Sequence, residues 1–251
     1  DARNLQITAA EALVRWHHPQ RGLISPTVFI PLAERFGLIG PIGNWVIEEA
    51  CRPAGVWRRA GLHMRVAINI SAYQMRQDDL VDRLQAALTA NGLSASRFTC
   101  EITESVAMED TKVTHRSFDR MRRAGLHVSI DDFGVGQASL SYLRRLPAAE
   151  LKIDASFVRD LETSAESRAI VTAVVQLAHA LHLRVVAEGV ETRYQRDTLV
   201  RMGCDELQGY LFAKPMSATA LSLWAAEDDE RTPGAPGGGF RASLFRDTEA
   251  S

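Results

Sequence analysis

Residues 98–103, Phe-Thr-Cys-Glu-Ile-Thr, place one carboxylate inside a short run of apolar and β-branched side chains. Aromatic and β-branched residues favour extended structure, so this run predicts a buried strand. A carboxylate buried in a strand costs several kcal/mol unless a counter-charge or a metal ion compensates it. The position of Glu101 therefore indicates that the strand contributes to a functional site.

Similar runs recur along the chain. The candidate strands are residues 5–14, 64–70, 98–103, 127–130, 150–153, 184–187 and 205–207. Amphipathic stretches with helix signals lie between most of them, at residues 26–37, 79–90, 110–125, 166–181, 193–202 and 218–226. This alternation predicts an α/β fold, a TIM-like (β/α)8 barrel of mostly parallel strands. Because only seven strands are found, we expect the N-terminal strand to be missing from this chain.

Composition bounds the domain organisation and the partners. With 251 residues and 46% hydrophobic content, we expect one domain at residues 1–227, followed by a low-complexity tail at 228–251. A net charge of -2 argues against long nucleic acids and membrane surfaces as partners. Three scattered cysteines and the lack of a long apolar stretch favour the cytoplasm, although a parent protein could be membrane-anchored through other regions.

Polar side chains lie at or just beyond the C-terminal ends of these strands, where a parallel barrel builds its active site. They are Glu11, Asn69, Glu101, Asp131, Asp132, Lys152, Asp154, Glu188, Glu191 and Gln208. Taken singly, a strand-end Asp or Glu is more often a helix cap or a surface charge, and Asp154 and Glu191 keep that alternative open. Taken together, the set predicts a site.

The ligand types indicate which chemistry this site supports. Two adjacent carboxylates such as Asp131 and Asp132 repel each other by roughly 3 kcal/mol at ~5 Å and an effective dielectric constant near 20. Divalent cations remove that repulsion, and a set of oxygen ligands suits Mg²⁺ or Mn²⁺ rather than zinc. A pair of such ions can clamp both oxygens of an in-line phosphoryl displacement. The sequence thus predicts metal-assisted phosphodiester hydrolysis.

Several motifs resemble those of the EAL-domain family of cyclic di-GMP phosphodiesterases, in the family's order. They are Glu11-Ala12-Leu13-Val14-Arg15-Trp16, Asn69-Ile70-Ser71 with Gln74, Glu101-Ile102-Thr103-Glu104-Ser105, Asp131-Asp132-Phe133-Gly134, Lys152-Ile153-Asp154, Glu188-Gly189-Val190-Glu191 and Gln208-Gly209-Tyr210-Leu211-Phe212. The resemblance implies divalent-metal-dependent hydrolysis of cyclic di-GMP to linear pGpG. The alternative is a catalytically weak domain that binds cyclic di-GMP as a receptor.

The resemblance also implies a role for each residue. Two divalent cations, Mg²⁺ or Mn²⁺, would be held by Glu11, Asn69, Glu101, Asp131, Asp132 and Glu188. Glu188 and Lys152 would be catalytic, the former as a base or an additional ligand and the latter by orienting the attacking water. The substrate would contact Leu13, Arg15, Asp154, Gln208 and Phe212. Glu104 and Glu191 would stabilise loops.

Three further expectations follow from the resemblance. The domain would form a homodimer and would be preceded in its parent protein by a sensory or cyclase-like domain. Phe29 and Pro31 would be walls for the guanine bases, with core packing an equally good explanation. The loop after Asp132 departs from the family pattern, because Val135, Gln137 and Ala138 lack hydroxyl groups that could fix it.

Overall fold

A computed structural model of the chain describes residues 1–136 and 143–231, with side chains as far as Ala225. Within these residues, seven parallel strands form one sheet in the order β1-β4-β5-β6-β7-β8-β9. The strands are β1 Ala9–Ala12, β4 Arg65–Asn69, β5 Phe98–Thr103, β6 His127–Phe133, β7 Glu150–Ile153, β8 Arg184–Ala187 and β9 Glu206–Leu207. An antiparallel hairpin is made of β2 Trp16–His18 and β3 Gly22–Ile24.

Helices follow most of the strands. They are α1 Pro26–Arg35, α2 Ile39–Arg59, α3 Ala72–Met75, α4 Leu80–Ala90, α5 Glu104–Ala107, α6 Lys112–Arg123, α7 Ala155–Arg159, α8 Ala165–Ala180, α9 Arg193–Met202 and α10 Ala218–Arg231. A single 3₁₀ turn covers Ala95–Arg97. The predicted α/β class and the TIM-like parallel arrangement are confirmed. No helix in residues 1–136 or 143–231 has the length and apolarity needed to span a lipid bilayer.

The pairing register sorts the side chains between the two faces of the sheet. Glu101 pairs with Asn69 on one side and with Ser129 on the other, and all three therefore point to the same face. The opposite face carries the buried residues Val66, Ile68, Cys100, Ile102, Val128, Ile130, Leu151, Ile153 and Val185. Because this apolar face packs against helices, the polar face turns inward as the sheet curls.

An ion-pair network with buried carboxylates lies at the lower end of the barrel, where the strands begin. Arg65 at the start of β4 donates to Glu150 at 3.2 Å and to Glu206 at 2.7 Å. Arg184 also donates to Glu206, at 2.5 Å. These residues come from the first positions of four strands, so the network ties β4, β7, β8 and β9 together across the barrel.

The differences from the predicted elements have local causes. The first strand covers only Ala9–Ala12 of the predicted residues 5–14, because Leu5 adopts a positive φ of 60°. Helix α6 is capped by Thr111, whose side chain accepts from Thr114 N, and not by Asp110. Helix α10 continues to Arg231, past the predicted domain boundary at residue 227. Most of the predicted tail lies outside the described residues, and the domain division stays a prediction.

Helix α2 and the hairpin are absent from the predicted set. The glycines and prolines of α2 suggest turns, although its buried residues Ile47, Cys51, Ala54 and Trp57 recur at helical spacing. Trp57 anchors α2 to α10 by donating from Nε1 to Ser222 Oγ at 2.7 Å. This contact shows that the last helix belongs to the same body as the barrel.

A matched pair of substitutions tests the buried network. Arg65→Ala should lower the free energy of unfolding by about 3 kcal/mol, because it leaves two buried carboxylates with less compensation. Arg83→Ala removes a surface pair with Asp79 and should cost less than about 1 kcal/mol. Urea denaturation of both variants measures the difference. Equal losses would show that the network does not support the barrel.

Candidate active site

Lys152 lies at the centre of the inward-facing polar residues, and its side chain is almost completely buried. Its Nζ is 2.6 Å from Glu188 Oε1, 2.9 Å from Glu101 Oε1, 3.4 Å from Asp131 Oδ1 and 3.6 Å from Glu11 Oε2. These carboxylates come from β1, β5, β6 and the segment after β8, while Lys152 comes from β7. Only a sheet curled around its own axis can bring side chains of β1 and β7 into contact.

Two amides fix the carboxylate of Glu11. Asn69 Nδ2 donates to Glu11 Oε1 at 2.7 Å, and Gln208 Nε2 donates to Glu11 Oε2 at 2.7 Å. Gln208 directly follows β9, so its hydrogen bond joins the two edge strands β1 and β9 at the mouth of the barrel. Both oxygens of Glu11 thereby have a defined orientation.

The cluster changes the protonation of its central members. Burial acts to lower the pKa of Lys152, but the carboxylates of Glu101 and Glu188 outweigh it and raise the pKa well above the usual range. Burial raises the pKa of Glu101 well above its usual value, with Lys152 acting in the opposite direction. Burial also raises the pKa of Glu188 to about 7, against the attraction of Lys152. Lys152 therefore stays charged, while Glu188 can exchange a proton near neutral pH.

The outer members of the cluster behave differently. Burial acts to raise the pKa of Glu11, but Lys152 and the amides of Gln208 and Asn69 hold it below the usual range. The pKa of Asp132 is raised by burial and then by the neighbouring carboxylate of Asp131. One edge of the cluster is thus compensated by the protein, and the other edge retains unfavourable negative charge.

This excess negative charge fits divalent cations. When ionised, the five carboxylates Glu11, Glu101, Asp131, Asp132 and Glu188 and the ammonium of Lys152 leave a formal charge of −4, which two divalent ions would cancel. Asp131, Asp132 and Glu188 each offer an oxygen within 4.8 Å of the others. Glu101 Oε2 is buried and has no hydrogen-bond partner among the described residues. The residues present therefore fit the predicted cations.

Comparison with known proteins agrees with this arrangement. Residues 1–215 match the model of the EAL domain family. The chain belongs to the EAL domain family. It is 46% identical over 221 residues to the bifunctional diguanylate cyclase/cyclic di-GMP phosphodiesterase MucR of Pseudomonas aeruginosa, covering 88% of this chain and 32% of that protein. It is 41% identical over 219 residues to the cyclic di-GMP phosphodiesterase PdeR of Escherichia coli, covering 87% and 33%.

Solved EAL structures share the fold. A cyclic di-GMP complex of the PaMucR phosphodiesterase superposes with a TM-score of 0.81 at 47% identity, over 84% of this chain and 86% of that one. The EAL enzyme Bd1971, bound to cAMP and cyclic di-GMP, gives a TM-score of 0.83 at 34% identity, over 88% and 61%. The chain spans about a third of the length of the curated relatives MucR and PdeR.

Glu104 holds the loop that follows Asp132 in this EAL domain. Its buried Oε2 accepts from Gly134 N at 2.8 Å and from Gly136 N at 3.3 Å. A Cβ at Gly136 would press against the Glu104 carboxylate, so this approach requires glycine. Asp132 itself lies within β6 and has a positive φ of 55°, at the point where the pairing of β6 with β7 shifts register between Ile130 and Phe133. The loop-stabilising role of Glu104 stays a prediction, and Gln137 and Ala138 lie outside the described residues.

The remaining predicted residues sit around this cluster with other partners. Asp154 caps α7, because its Oδ1 accepts from Ser156 N at 2.9 Å and from the Ser156 hydroxyl. Arg15 is exposed, and its Nη1 donates to Val14 O at 2.9 Å. Glu191 is exposed, and its carboxylate makes no hydrogen bond or ion pair with another described residue. The substrate role of Asp154 and Arg15 and the loop role of Glu191 stay predictions.

The apolar side chains that were predicted to contact the substrate lie partly in the core and partly at the mouth of the barrel. Phe29 is buried and meets the ring of Trp16 edge to face at 5.7 Å between centroids. Phe212 is partly buried against the core, and Leu13 is exposed next to the Glu11 strand. For Phe29 the packing explanation is therefore the better one. Trp16 and Leu13 offer more exposed apolar surface at this end of the barrel.

Gln195 is one supporting residue that the sequence interpretation missed. Its Oε1 accepts from Glu191 N at 2.7 Å and from Thr192 N at 2.9 Å, while Thr192 Oγ1 accepts from Gln195 N. This capping box at the start of α9 fixes the loop that carries Glu188. The spacing Thr-x-x-Gln before a helix was the available signal, since it is the usual signature of this motif.

The raised pKa of Glu188 predicts a pH-dependent stability. Because its folded-state pKa of about 7 exceeds the usual value of 4.5, the folded domain binds the extra proton between these pH values. Stability in EDTA should therefore fall as the pH rises through this window, by on the order of 3 kcal/mol from this group. Thermal unfolding against pH should show this fall relative to Glu188→Gln, which cannot ionise.

Mn²⁺ provides the control for this titration. Adding Mn²⁺ at pH 7.5 should restore the stability of the native domain, because a bound cation favours the ionised carboxylate. If the stability of the native domain and that of Glu188→Gln changed with pH in the same way between pH 4.5 and about 7, the raised pKa would not belong to Glu188.

Proposed function

We propose that this EAL domain hydrolyses cyclic di-GMP to linear pGpG with the help of two divalent cations, Mg²⁺ or Mn²⁺. The observation that carries the proposal is the convergence of Glu11, Glu101, Asp131 and Glu188 on one buried lysine, with Asp132 alongside. Carboxylates gathered in this way supply the oxygen ligands that Mg²⁺ and Mn²⁺ prefer. The cyclic di-GMP complex of the 47% identical PaMucR domain supports the same ligand for this chain.

The residues divide the work of hydrolysis among them. When bound, the cations lower the pKa of water and neutralise charge that develops on the phosphate. Glu188, whose Oε1 lies 2.6 Å from Lys152 Nζ inside the cluster, accepts the proton of the attacking water in this proposal. Lys152 holds Glu188 and Glu101 in place and polarises the water. Asn69 and Gln208 keep the Glu11 carboxylate oriented.

The substrate contacts form the outer part of the proposal. Arg15 and Leu13 lie just beyond β1, on the same segment as Glu11. The exposed guanidinium of Arg15 suits one phosphate of the dinucleotide, since its planar fork matches phosphate oxygens. Asp154 and Phe212 complete the rim in this proposal. We further propose a larger parent protein with a sensory or cyclase-like domain, because MucR and PdeR are about three times as long as this chain. A homodimer in the cytoplasm is also part of this proposal.

The test of this proposal is a turnover assay. The domain is incubated with cyclic di-GMP and Mg²⁺ or Mn²⁺, and products are separated by chromatography. We expect pGpG to accumulate, and EDTA to abolish its formation. Binding of cyclic di-GMP without any pGpG would support the receptor alternative and reject hydrolysis.

Two substitutions connect turnover to the cluster. Glu11→Ala should reduce the rate by more than about 100-fold, because it removes a predicted ligand that two amides orient. Asp132→Asn should lose activity with little change in the melting temperature. Glu49→Ala, which breaks only a surface ion pair with Arg52, is the control and should keep native activity. Wild-type turnover by Glu11→Ala would reject the site.

A further inference from the structure

Three inward-facing side chains near the centre of the barrel carry polar atoms without a hydrogen-bond partner. In the described part of the chain, five buried side-chain atoms lack such a partner, and three of them are Glu101 Oε2, Ser129 Oγ and Lys152 Nζ. Each of these three residues is at most 3% exposed. Because an unpartnered polar group is costly inside a protein, three of them in one region indicate a partner that they share.

Strand pairing places these three side chains beside one another. Ser129 on β6 pairs with Glu101 on β5, so the two side chains are neighbours on the inner face of the sheet, with their strands about 4.8 Å apart. Lys152 is on β7, and its Nζ lies 2.9 Å from Glu101 Oε1. Since β6 lies between β5 and β7, the lysine side chain crosses the inner face of β6 to reach Glu101. The Ser129 hydroxyl is therefore next to both charged groups.

Direct contacts leave all three atoms unsatisfied. Glu101 faces Lys152 through Oε1, and its Oε2 has no partner among the described residues. Lys152 Nζ is within ion-pair distance of Glu101 and Glu188, but the angles at these contacts fall outside the range of a hydrogen bond. The Ser129 hydroxyl makes no hydrogen bond to the carboxylate beside it or to another described residue. The shared partner must therefore accept from the ammonium and donate to the carboxylate.

A water molecule has this hydrogen-bonding capacity. It can accept from Lys152 Nζ and from the Ser129 hydroxyl while it donates to Glu101 Oε2, and buried waters typically make about three such bonds. A divalent cation at the same point would be repelled by the Lys152 ammonium. The arrangement therefore favours water over a further metal ion at this position.

The side chains around this point are small. Barrels of this type are usually filled at the centre by bulky branched residues. Here the inward positions next to Glu101 on β4, β5 and β6 carry Ala67, Thr99 and Ser129, which are all buried. Small inward side chains leave the space that a buried water needs.

We propose that Glu101, Ser129 and Lys152 hold one buried water molecule, and that Ser129 is through this water a positioning residue for Glu101. The inference rests on the proposed function, because it takes Glu101 as a ligand of the catalytic cations. An ionised carboxylate has about four lone-pair directions, so Glu101 can bind a cation and accept from the water together. Without the hydroxyl, the water loses one of its three partners and the carboxylate is held less firmly.

Crystal structures of the native domain and of Ser129→Ala, both grown with Mn²⁺, test the water directly. We expect a spherical density peak in the native domain, about 2.6 to 3.2 Å from Glu101 Oε2, Ser129 Oγ and Lys152 Nζ, and no peak there in the variant. Anomalous diffraction distinguishes Mn²⁺ from water. An anomalous peak at this point, no peak in the native domain, or a peak that persists in Ser129→Ala would each overturn the inference.

Calorimetric titration with Mn²⁺ tests the positioning role. Ser129→Ala should raise the Kd for Mn²⁺ by about 10-fold, the lower end of the loss expected when a group that supports a metal ligand is removed. Ser129→Thr keeps the hydroxyl and should bind Mn²⁺ as the native domain does. An unchanged Kd in Ser129→Ala would overturn the role of Ser129. An equal loss in Ser129→Thr would do the same, because it would trace the effect to packing.

Ser117→Ala is the matched control. Ser117 on α6 is also a buried serine, and its hydroxyl donates to Met75 O at 2.7 Å outside the barrel interior. Its loss should lower the melting temperature and leave the Kd for Mn²⁺ unchanged. If Ser117→Ala weakened Mn²⁺ binding as much as Ser129→Ala, the effect would belong to general stability and the inference would fail.

These measurements do not depend on turnover, so they separate the two proposals. A native domain that shows the water and binds Mn²⁺ but forms no pGpG would reject the proposed function and leave the role of Ser129 intact. A native domain that forms pGpG but shows no water at this point would reject only the role of Ser129.

Discussion

The burial of one lysine among four carboxylates is the interaction on which this EAL domain depends. Lys152 can occupy the barrel interior only because Glu11, Glu101, Asp131 and Glu188 surround its ammonium. The same carboxylates, when ionised, would repel one another at these distances without a positive charge between them. Lysine and acids therefore make each other's burial possible, and the curled sheet brings them to one point.

The barrel interior holds two layers of charged side chains, and the net formal charge differs between them. At the lower end, Arg65 and Arg184 face Glu150 and Glu206, so the formal charges cancel without any ligand. At the upper end the acids outnumber Lys152. The positive and negative formal charges of the lower network therefore balance, whereas the upper cluster keeps an excess of negative charge. A site that keeps an uncompensated charge is one that gains free energy when cations or a substrate proton arrive.

The sequence predicted the strands well, because strands depend on local patterns, and the same patterns indicated which charged side chains the strands bring together. Glu101 and Lys152 stood out as charges within apolar strands, and parallel pairing then required their strand ends to meet. Helix α2 was missed because its glycines and prolines indicate turns when read locally. Gly43 shows the reason for one of them, since a Cβ there would collide with the side chain of Gln74. That requirement is a tertiary contact, which no short window of sequence contains.

The partners of the outer residues also could not be predicted from short stretches of sequence. Asp154 caps α7 and Arg15 bonds to its own segment, so neither side chain is held in place by the carboxylate cluster. The inner carboxylates, in contrast, are fixed by Lys152, Asn69 and Gln208 from three different strands or strand ends. This difference divides the site into a rigid centre and an adaptable rim. Chemistry needs the centre to be preorganised, because misplacing a charge is costly, while a rim of exposed side chains can adjust to the substrate.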